Sequence, residues 1–433
     1  MKLKELKMRN FRCFENFKIE FHDKVTVIVG ANGVGKTTIL EAAAIAAGTL
    51  LFSFDGIKIR KIDKIDAHNK YYDMGSVIDV QPQYPVEVCA TGSVGEKESI
   101  PWKRSLNSES GKTTIVDAKD LISISKEYQQ RLMDGDKSLI LPLITYYGTG
   151  RMWDYHREKK NDTFRKNTRT NGYIDCLDGT ANVKLMMHWF KKMAKSDTES
   201  RNPSLEFSAV RSAMERCFTL MTGIETVKVG VNLDTDEIEV IYRDEKEGVI
   251  RLPLNQLSDG YKSTISLIAD IAYRMAVLNP QLSRDVLEKT DGIVLLDEVD
   301  LHLHPAWQQR IIYDLTHIFP KIQFIVSTHA PAVINSVKSE NLVVLKDSQA
   351  MGVDNQVYGK DVKSVLNEIM GVTERPPEVS KLFDKFYLEL SNQDFDLAEQ
   401  ILDQLDELRD YHDPEVVGCR VKLKLERVRG GKK

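Results

Sequence analysis

Apolar positions along the chain fall into three patterns. Short continuous runs occur at Val25-Thr-Val-Ile-Val29, Gly292-Ile-Val-Leu-Leu296 and Ile322-Gln-Phe-Ile-Val326; such runs predict strands covered on both faces by helices. Alternating segments at Pro85-Val-Glu-Val-Cys-Ala and Glu237-Ile-Glu-Val-Ile-Tyr242 predict antiparallel strands of a side sheet. Helix-forming composition follows at Ile39-Leu-Glu-Ala-Ala-Ala-Ile-Ala-Ala, and residues 181–222 predict amphipathic helix broken at Asn202-Pro203, too short for a long coiled-coil arm. The first 45 residues thus read strand, strand, glycine-rich loop, helix. Beyond Gly371 and the Pro376-Pro377 break, Val379, Leu382, Phe383, Phe386 and Leu390 keep helical spacing, as do Leu397, Ile401, Leu405 and Leu408. Together these elements predict a mixed α/β core with an antiparallel side sheet, a helical insertion and a C-terminal helical appendage.

Composition narrows the class. With 433 residues the chain exceeds the usual ceiling of about 300 for a single core, so insertions or an appended domain are expected. Hydrophobic residues make up 42% and charged residues 29%, with a net charge of -4, which describes a mildly acidic globular protein and makes no demand for nucleic acid. No run reaches the roughly 20 apolar residues of a membrane span, and MKLKELKMRNFRCF lacks the apolar core of a signal peptide, so a cytoplasmic protein with no membrane partner is expected. The five cysteines, Cys13, Cys89, Cys176, Cys217 and Cys419, are scattered without CxxC spacing and read as reduced, buried fillers.

Candidate chemistry begins at Gly30-Ala31-Asn32-Gly33-Val34-Gly35-Lys36-Thr37, followed by Thr38. This is the GxxxxGK[ST] pattern in its required setting, directly after a strand and opening a helix. The glycines let backbone N–H groups turn onto a phosphate, the helix N-terminus adds positive charge, Lys36 would bridge the β- and γ-phosphates of ATP and the Thr37 hydroxyl would ligate Mg2+. A second strand ends in Asp297-Glu298, where the first acid can hold the magnesium shell and the second polarise an attacking water. A third ends in Ser327-Thr328-His329, which sets an imidazole at a strand's C-terminal tip, where open α/β sheets bind ligands. His302 and His304 invite a metal reading, but their spacing and the want of a third ligand argue against it.

Leu257-Ser258-Asp259-Gly260-Tyr261-Lys262-Ser263 lies between the phosphate loop and the acid pair. It resembles the ABC signature LSGGQ in the LSxGxxS form of SMC, RecF and related ATPases, and the order of the four motifs is that family's. The resemblance implies an ABC-type ATPase head, in which the signature of one protomer faces the nucleotide held by the other. Ser258, the Gly260 amide and Ser263 would then serve a partner's ATP, and a homodimer or higher homo-oligomer is expected. It also implies that Asp300 lies in a loop crossing the dimer interface. Gln81 and Gln83 are candidates for the glutamine loop, without a diagnostic neighbourhood. The start NFRCFENFKIEF, the stretch Leu141–Trp153, the DEVDLHLHP block and Tyr358–Met370 resemble a narrower group, the PtuA ATPases of Septu antiphage systems, also found beside retrons. That group implies a separate HNH nuclease partner, PtuB-like.

The expected organisation is an N-terminal part of the head over 1–150, a basic loop and helical insertion over 151–225, the rest of the head over 226–360 and a helical region over 361–433. The expected function is an ATP-hydrolysing regulatory subunit of an antiphage complex, with Glu298 and His329 catalytic. A RecF-like repair clamp is the alternative, weakened by the acidic charge. Residues 151–170 carry seven Lys/Arg against three Asp/Glu and read either as a solvated loop or as a DNA phosphate contact. A transporter ATPase fits poorly with the Asp300-Leu-His-Leu-His-Pro305 stretch.

Overall fold

In the computed structural model the described residues are 1–433 apart from 153–167, 180–182, 200–203, 233–234, 236, 245, 247, 354–355, 372–374, 409–412 and 431–433. Most of the basic stretch at 151–170 therefore lies outside the described residues. The chain runs β1 (Lys2–Phe11), β2 (Phe14–Glu20), β3 (Val25–Val29), α1 (Lys36–Ala47), β4 (Asn69–Asp73), β5 (Ile78–Pro82), β6 (Val86–Val94), β7 (Lys97–Leu106), α2 (Lys119–Met133) and β8 (Leu143–Tyr147). It continues with α3 (Val183–Glu199), α4 (Leu205–Thr222), β9 (Val227–Asn232), β10 (Glu237–Asp244), β11 (Gly248–Pro253), α5 (Asp259–Leu278), β12 (Gly292–Leu296), β13 (Ile322–Thr328), β14 (Leu342–Lys346) and β15 (Gln349–Gly352). The fold has two compact units, Met1–Lys360 and Asp361–Lys433.

The three continuous apolar runs are the centre of a six-stranded sheet of order β15-β14-β3-β13-β12-β8. From β14 to β8 every pairing is parallel, and β15 joins antiparallel at the edge. β3, β12 and β13 are buried at every position, as strands sandwiched between layers must be. One of those layers is α1, nearly all of whose residues are buried. Its alanine-rich surface has no polar face because it lies between two sheets, touching β8, β12 and β13 on one side and β6 and β7 on the other. Trp102 of β7 closes that contact by donating Nε1–H to the Ala46 carbonyl at 3.0 Å.

The alternating segments form two separate sheets rather than one. The Pro85–Ala90 segment belongs to a four-stranded antiparallel sheet, β2-β1-β6-β7, and Glu237–Tyr242 to a three-stranded one, β11-β10-β9. The N-terminus carries three strands before the loop, not two. β1 supplies two alternations of opposite sense joined by an irregularity between Leu3 and Glu5, which blurs its period. The helical insertion is α3 and α4; α4 is capped by Ser204, whose hydroxyl accepts from the Phe207 amide at 3.2 Å, and packs on α5.

In the second unit the helices Pro377–Ser391, Phe395–Glu407 and Pro414–Gly430 bury Phe383, Phe386, Leu390, Ile401 and Leu405 in one core. Leu397 and Leu408 are exposed, and Ala398 and Leu402 take their places inside: positions 398, 401, 402 and 405 keep one face of a 3.6-residue helix better than 397 and 408 do. The third helix was not legible as one. Its sequence alternates valine or leucine with lysine and arginine, so no helical period stands out, and Val417, Val421 and Leu425 remain exposed.

Candidate functional site: a phosphate-loop pocket

Parallel pairing brings the C-terminal ends of β3, β13, β12 and β8 to one edge of the core sheet, and the motifs sit on those ends. A pocket of roughly 250 Å³ there is lined by Arg12, Cys13, Asn32, Gly33, Gly35, Lys36, Thr37, Thr38, Asp297, Glu298 and His329. Three sequence-distant motifs thus meet in one cavity. Gly35 shows why the loop needs glycine: its φ of 102° is left-handed, and a Cβ there would stand 2.5 Å from Phe14 Cζ and 2.7 Å from Cys13 Sγ.

Lys36 is buried and folds back on its own loop, its Nζ donating to the carbonyls of Gly30 and Ala31 at 2.9 Å each. Burial pushes its pKa down, while Asp297, Glu298 and Asp300 pull it up. Gly30, Ala31 and Val34 do not line the pocket; Gly30 and Ala31 hold the lysine, and Val34 packs on Gly30. Thr37 Oγ1 donates to Asp297 Oδ2 at 2.7 Å.

The acid pair is fixed from the neighbouring strand. Ser327 Oγ donates to Asp297 Oδ1 at 2.5 Å and accepts the Glu298 amide at 2.8 Å, and the Val299 amide donates to the Ser327 carbonyl at 2.9 Å. Glu298 itself has φ 46°, an uncommon backbone for a residue with a Cβ, kept in place by those bonds and aiming its side chain into the pocket. Thr328 Oγ1 donates to Asp300 Oδ1 at 2.5 Å, so Asp300 is tied to its own chain's β13. Burial, and then the Lys36 charge, hold the His329 pKa below its ordinary 6.5, which favours the neutral imidazole.

Arg12 and Cys13 line the pocket without having been singled out from the sequence. They occupy the turn between β1 and β2, where Arg12 is left-handed at φ 51°. Burial works against the Arg12 charge, but the bond from its Nε to Asp66 Oδ1 at 2.7 Å and the neighbouring Glu41 raise its pKa overall. Cys13 is exposed, not a buried filler. A cation in a tight turn packed beside the phosphate loop is a signal only once the turn's position is known. Gln81 and Gln83 do not reach the pocket: Gln81 Nε2 donates to Asp79 Oδ1 at 2.9 Å on the exposed hairpin β4-β5. The segment beside β12 at the same sheet edge is instead Tyr147-Gly148, at the C-terminal end of β8.

Ser258, Gly260 and Ser263 do not line the pocket of their own chain. Ser258 is exposed at the N-cap of α5, while Gly260 and Ser263 are buried. Gly260 lies so close to the loop after Glu298 that a Cβ would stand 2.7 Å from the His302 carbonyl oxygen. His302 and His304 lie in that loop and at the cap of a short helix, and among the described residues no cluster of three His, Cys, Asp or Glu side chains could hold a metal.

A family model described as AAA domain matches residues 5–267. The chain belongs to that family. As an AAA-domain protein it binds nucleotide and hydrolyses ATP, and a second AAA-domain model matches residues 201–335. It is 25% identical over 431 residues to the retron Vc95 probable ATPase of Vibrio cholerae serotype O1 biovar El Tor, covering 87% of this chain and 80% of that protein. It is 24% identical over 407 residues to the Septu protein PtuA of Bacillus thuringiensis, covering 90% of each. The resemblance to Septu and retron ATPases is thereby borne out over most of the AAA-domain chain. The solved SMC head bound to the C-winged helix domain of ScpA matches with a TM-score of 0.45 at 17% identity, over 82% of this chain and 99% of that one, a score too low to carry an argument. Among the described residues no helix is long and apolar enough to cross a membrane.

Proposed function

We propose that this AAA-domain ATPase is the regulatory subunit of a bacterial antiphage defence complex. It would control a separate HNH nuclease through ATP-dependent, head-to-tail pairing of two copies. The observation that carries the reading is the division of motifs: Lys36, Thr37, Asp297, Glu298 and His329 share one pocket, whereas the signature residues of the same chain lie outside it. A signature that cannot serve its own nucleotide is suited to serve a second copy's. The Septu and retron names of relatives that match along most of the chain support the defence context.

In this reading the amides of 32–37 and the α1 N-terminus hold the phosphates. Lys36 exchanges its two loop carbonyls for β- and γ-phosphate oxygens. Thr37 and Asp297 would hold Mg2+; their hydroxyl and carboxylate oxygens already converge at 2.7 Å, a hard-oxygen donor set of the kind this ion takes with few protein ligands. The bound ion supplies charge neutralisation at the phosphates. Glu298 accepts the proton of the attacking water, and neutral His329 hydrogen-bonds beside the γ-phosphate. Ser258, the Gly260 amide and Ser263 present the α5 N-terminus to the other copy's phosphate.

Native mass spectrometry of the protein copurified with its neighbouring genes' products, with and without ATP, tests the assembly. Paired ATPases carrying a smaller nuclease are expected; ATPase dimers that bind DNA and no nuclease would replace this reading with a repair clamp. Glu298→Gln should lower kcat by about 10²- to 10⁴-fold and trap an ATP-bound dimer. Unchanged hydrolysis in that variant would remove Glu298 from the mechanism.

A further inference from the structure

The signature helix is wired to the acid pair through buried charge. Asp270 and Arg274, one turn apart on α5, are 1% and 2% exposed. Arg274 Nε donates to Asp270 Oδ2 at 2.7 Å, and the Tyr147 hydroxyl donates to the same oxygen at 2.7 Å. Tyr147 is the last residue of β8, itself 1% exposed, and its backbone carbonyl accepts the amide of Asp297 at 2.8 Å. The Tyr147 side chain and one backbone hydrogen bond therefore link Asp270, in the middle of α5, to the acid that meets Thr37. Burial, reinforced by Asp270, holds the tyrosine hydroxyl protonated far beyond its ordinary range, so its donor role is secure.

The arginine of the pair gathers a third element. Arg274 Nη1 donates to the carbonyls of Gly172 and Ile174 at 3.0 and 2.8 Å. The stretch that follows them lines the edge of β8, with the Tyr146 amide on the Cys176 carbonyl and the Gly148 amide on the Gly179 carbonyl, both at 2.7 Å. At its other end α5 touches the loop after Glu298, through Gly260 on the His302 carbonyl and Tyr261 on the Trp307 ring at 4.4 Å between centroids. The helix thus reaches both sides of Asp297-Glu298, once through packing and once through the hydrogen bonds of Tyr147. A helix as apolar as α5 needs no ions to stay in place, and buried ion pairs are poor sources of stability because desolvation offsets their attraction. What this intrahelical pair supplies is its bonds to other elements, from the Tyr147 hydroxyl and to the Gly172 and Ile174 carbonyls, which fix α5 against β8 and the stretch beside it.

We propose that Tyr147 is a positioning residue for ATP hydrolysis, and that the Tyr147–Asp270–Arg274 chain sets the place of the acid pair according to the place of the signature helix. Engagement of α5 by another copy's nucleotide is then felt at the hydrolytic carboxylates. The proposal rests on Asp297 and Glu298 being those carboxylates.

The test uses the full-length protein with Tyr147→Phe, Asp270→Asn and the double variant, each checked for folding by thermal melting. A fluorescent ATP analogue reads affinity and steady-state assays read kcat and KM. The expected result is analogue binding and KM within about twofold of wild type, kcat at least tenfold lower, and a double variant no slower than the slower single, as members of one chain behave. Wild-type kcat in Tyr147→Phe overturns the proposal. A variant with the chain made apolar throughout, Y147F/D270L/R274M, separates the fold from the mechanism: a folded protein with low kcat is expected, and wild-type kcat there also overturns it. If Glu298→Gln keeps full activity, the underlying site reading has failed; if that variant is dead while Tyr147→Phe is fully active, only the positioning role has.

Discussion

The Lys36 ammonium is buried, displaced from water and bonded to two neutral carbonyls of its own loop, so phosphate oxygens are the stronger acceptors it is placed to gain. Lys36→Ala should weaken ATP binding about 100-fold, the worth of one or two charge-assisted hydrogen bonds, as read by calorimetry. His329 yields a pH signature. Its pKa is below the ordinary 6.5 in the folded protein, so the unfolded chain takes up the proton first. The stability that the neutral ring contributes is complete above pH about 6.5 and is lost as the pH falls below it. A His329→Gln variant, which cannot be charged, should lose less melting temperature than wild type between pH about 7.5 and about 5.5, and parallel curves would show that another group titrates.

At the scale of elements, the acid pair depends on the strand beside it. β12 and β13 are parallel neighbours, and Ser327 at the tip of one ties both Asp297 and the left-handed Glu298 at the tip of the other. Ser327→Ala leaves the Glu298 amide without that acceptor, a loss of about 1–3 kcal/mol for a buried polar group. Lower kcat with ATP affinity close to wild type is the expected outcome, since the phosphate loop is untouched; a loss of affinity with normal kcat would contradict the role given to this strand tip. Ser327-Thr328-His329 stood out in the sequence for its histidine, yet its serine and threonine organise the acids around it. That could not be read from one strand, because the partner carboxylates come from residues about thirty positions away.

For the whole molecule, the decisive fact is that one copy brings phosphate loop, acids and histidine together and leaves its signature segment outside. A bulky cation at the exposed Ser258, as in Ser258→Arg, should therefore leave single-copy ATP binding unchanged while abolishing ATP-dependent dimers in sedimentation and, with them, most of the hydrolysis. Retained dimers would reject head-to-tail pairing. The sequence alone determined the α/β core and its three central strands, because continuous apolar runs have no stable home except between two layers. It also determined the phosphate loop, because glycine spacing and a strand-to-helix setting are local properties, and the helical C-terminal region through its repeating apolar face. Tertiary structure decided what depends on contacts distant along the chain: that the alternating strands divide into separate sheets, that Arg12 and Cys13 border the pocket, that Gln81 and Gln83 do not, and that Tyr147, Asp270 and Arg274 meet. Parallel strand order and buried side-chain pairing create those neighbours, and neither leaves a period or a motif in the linear order of residues.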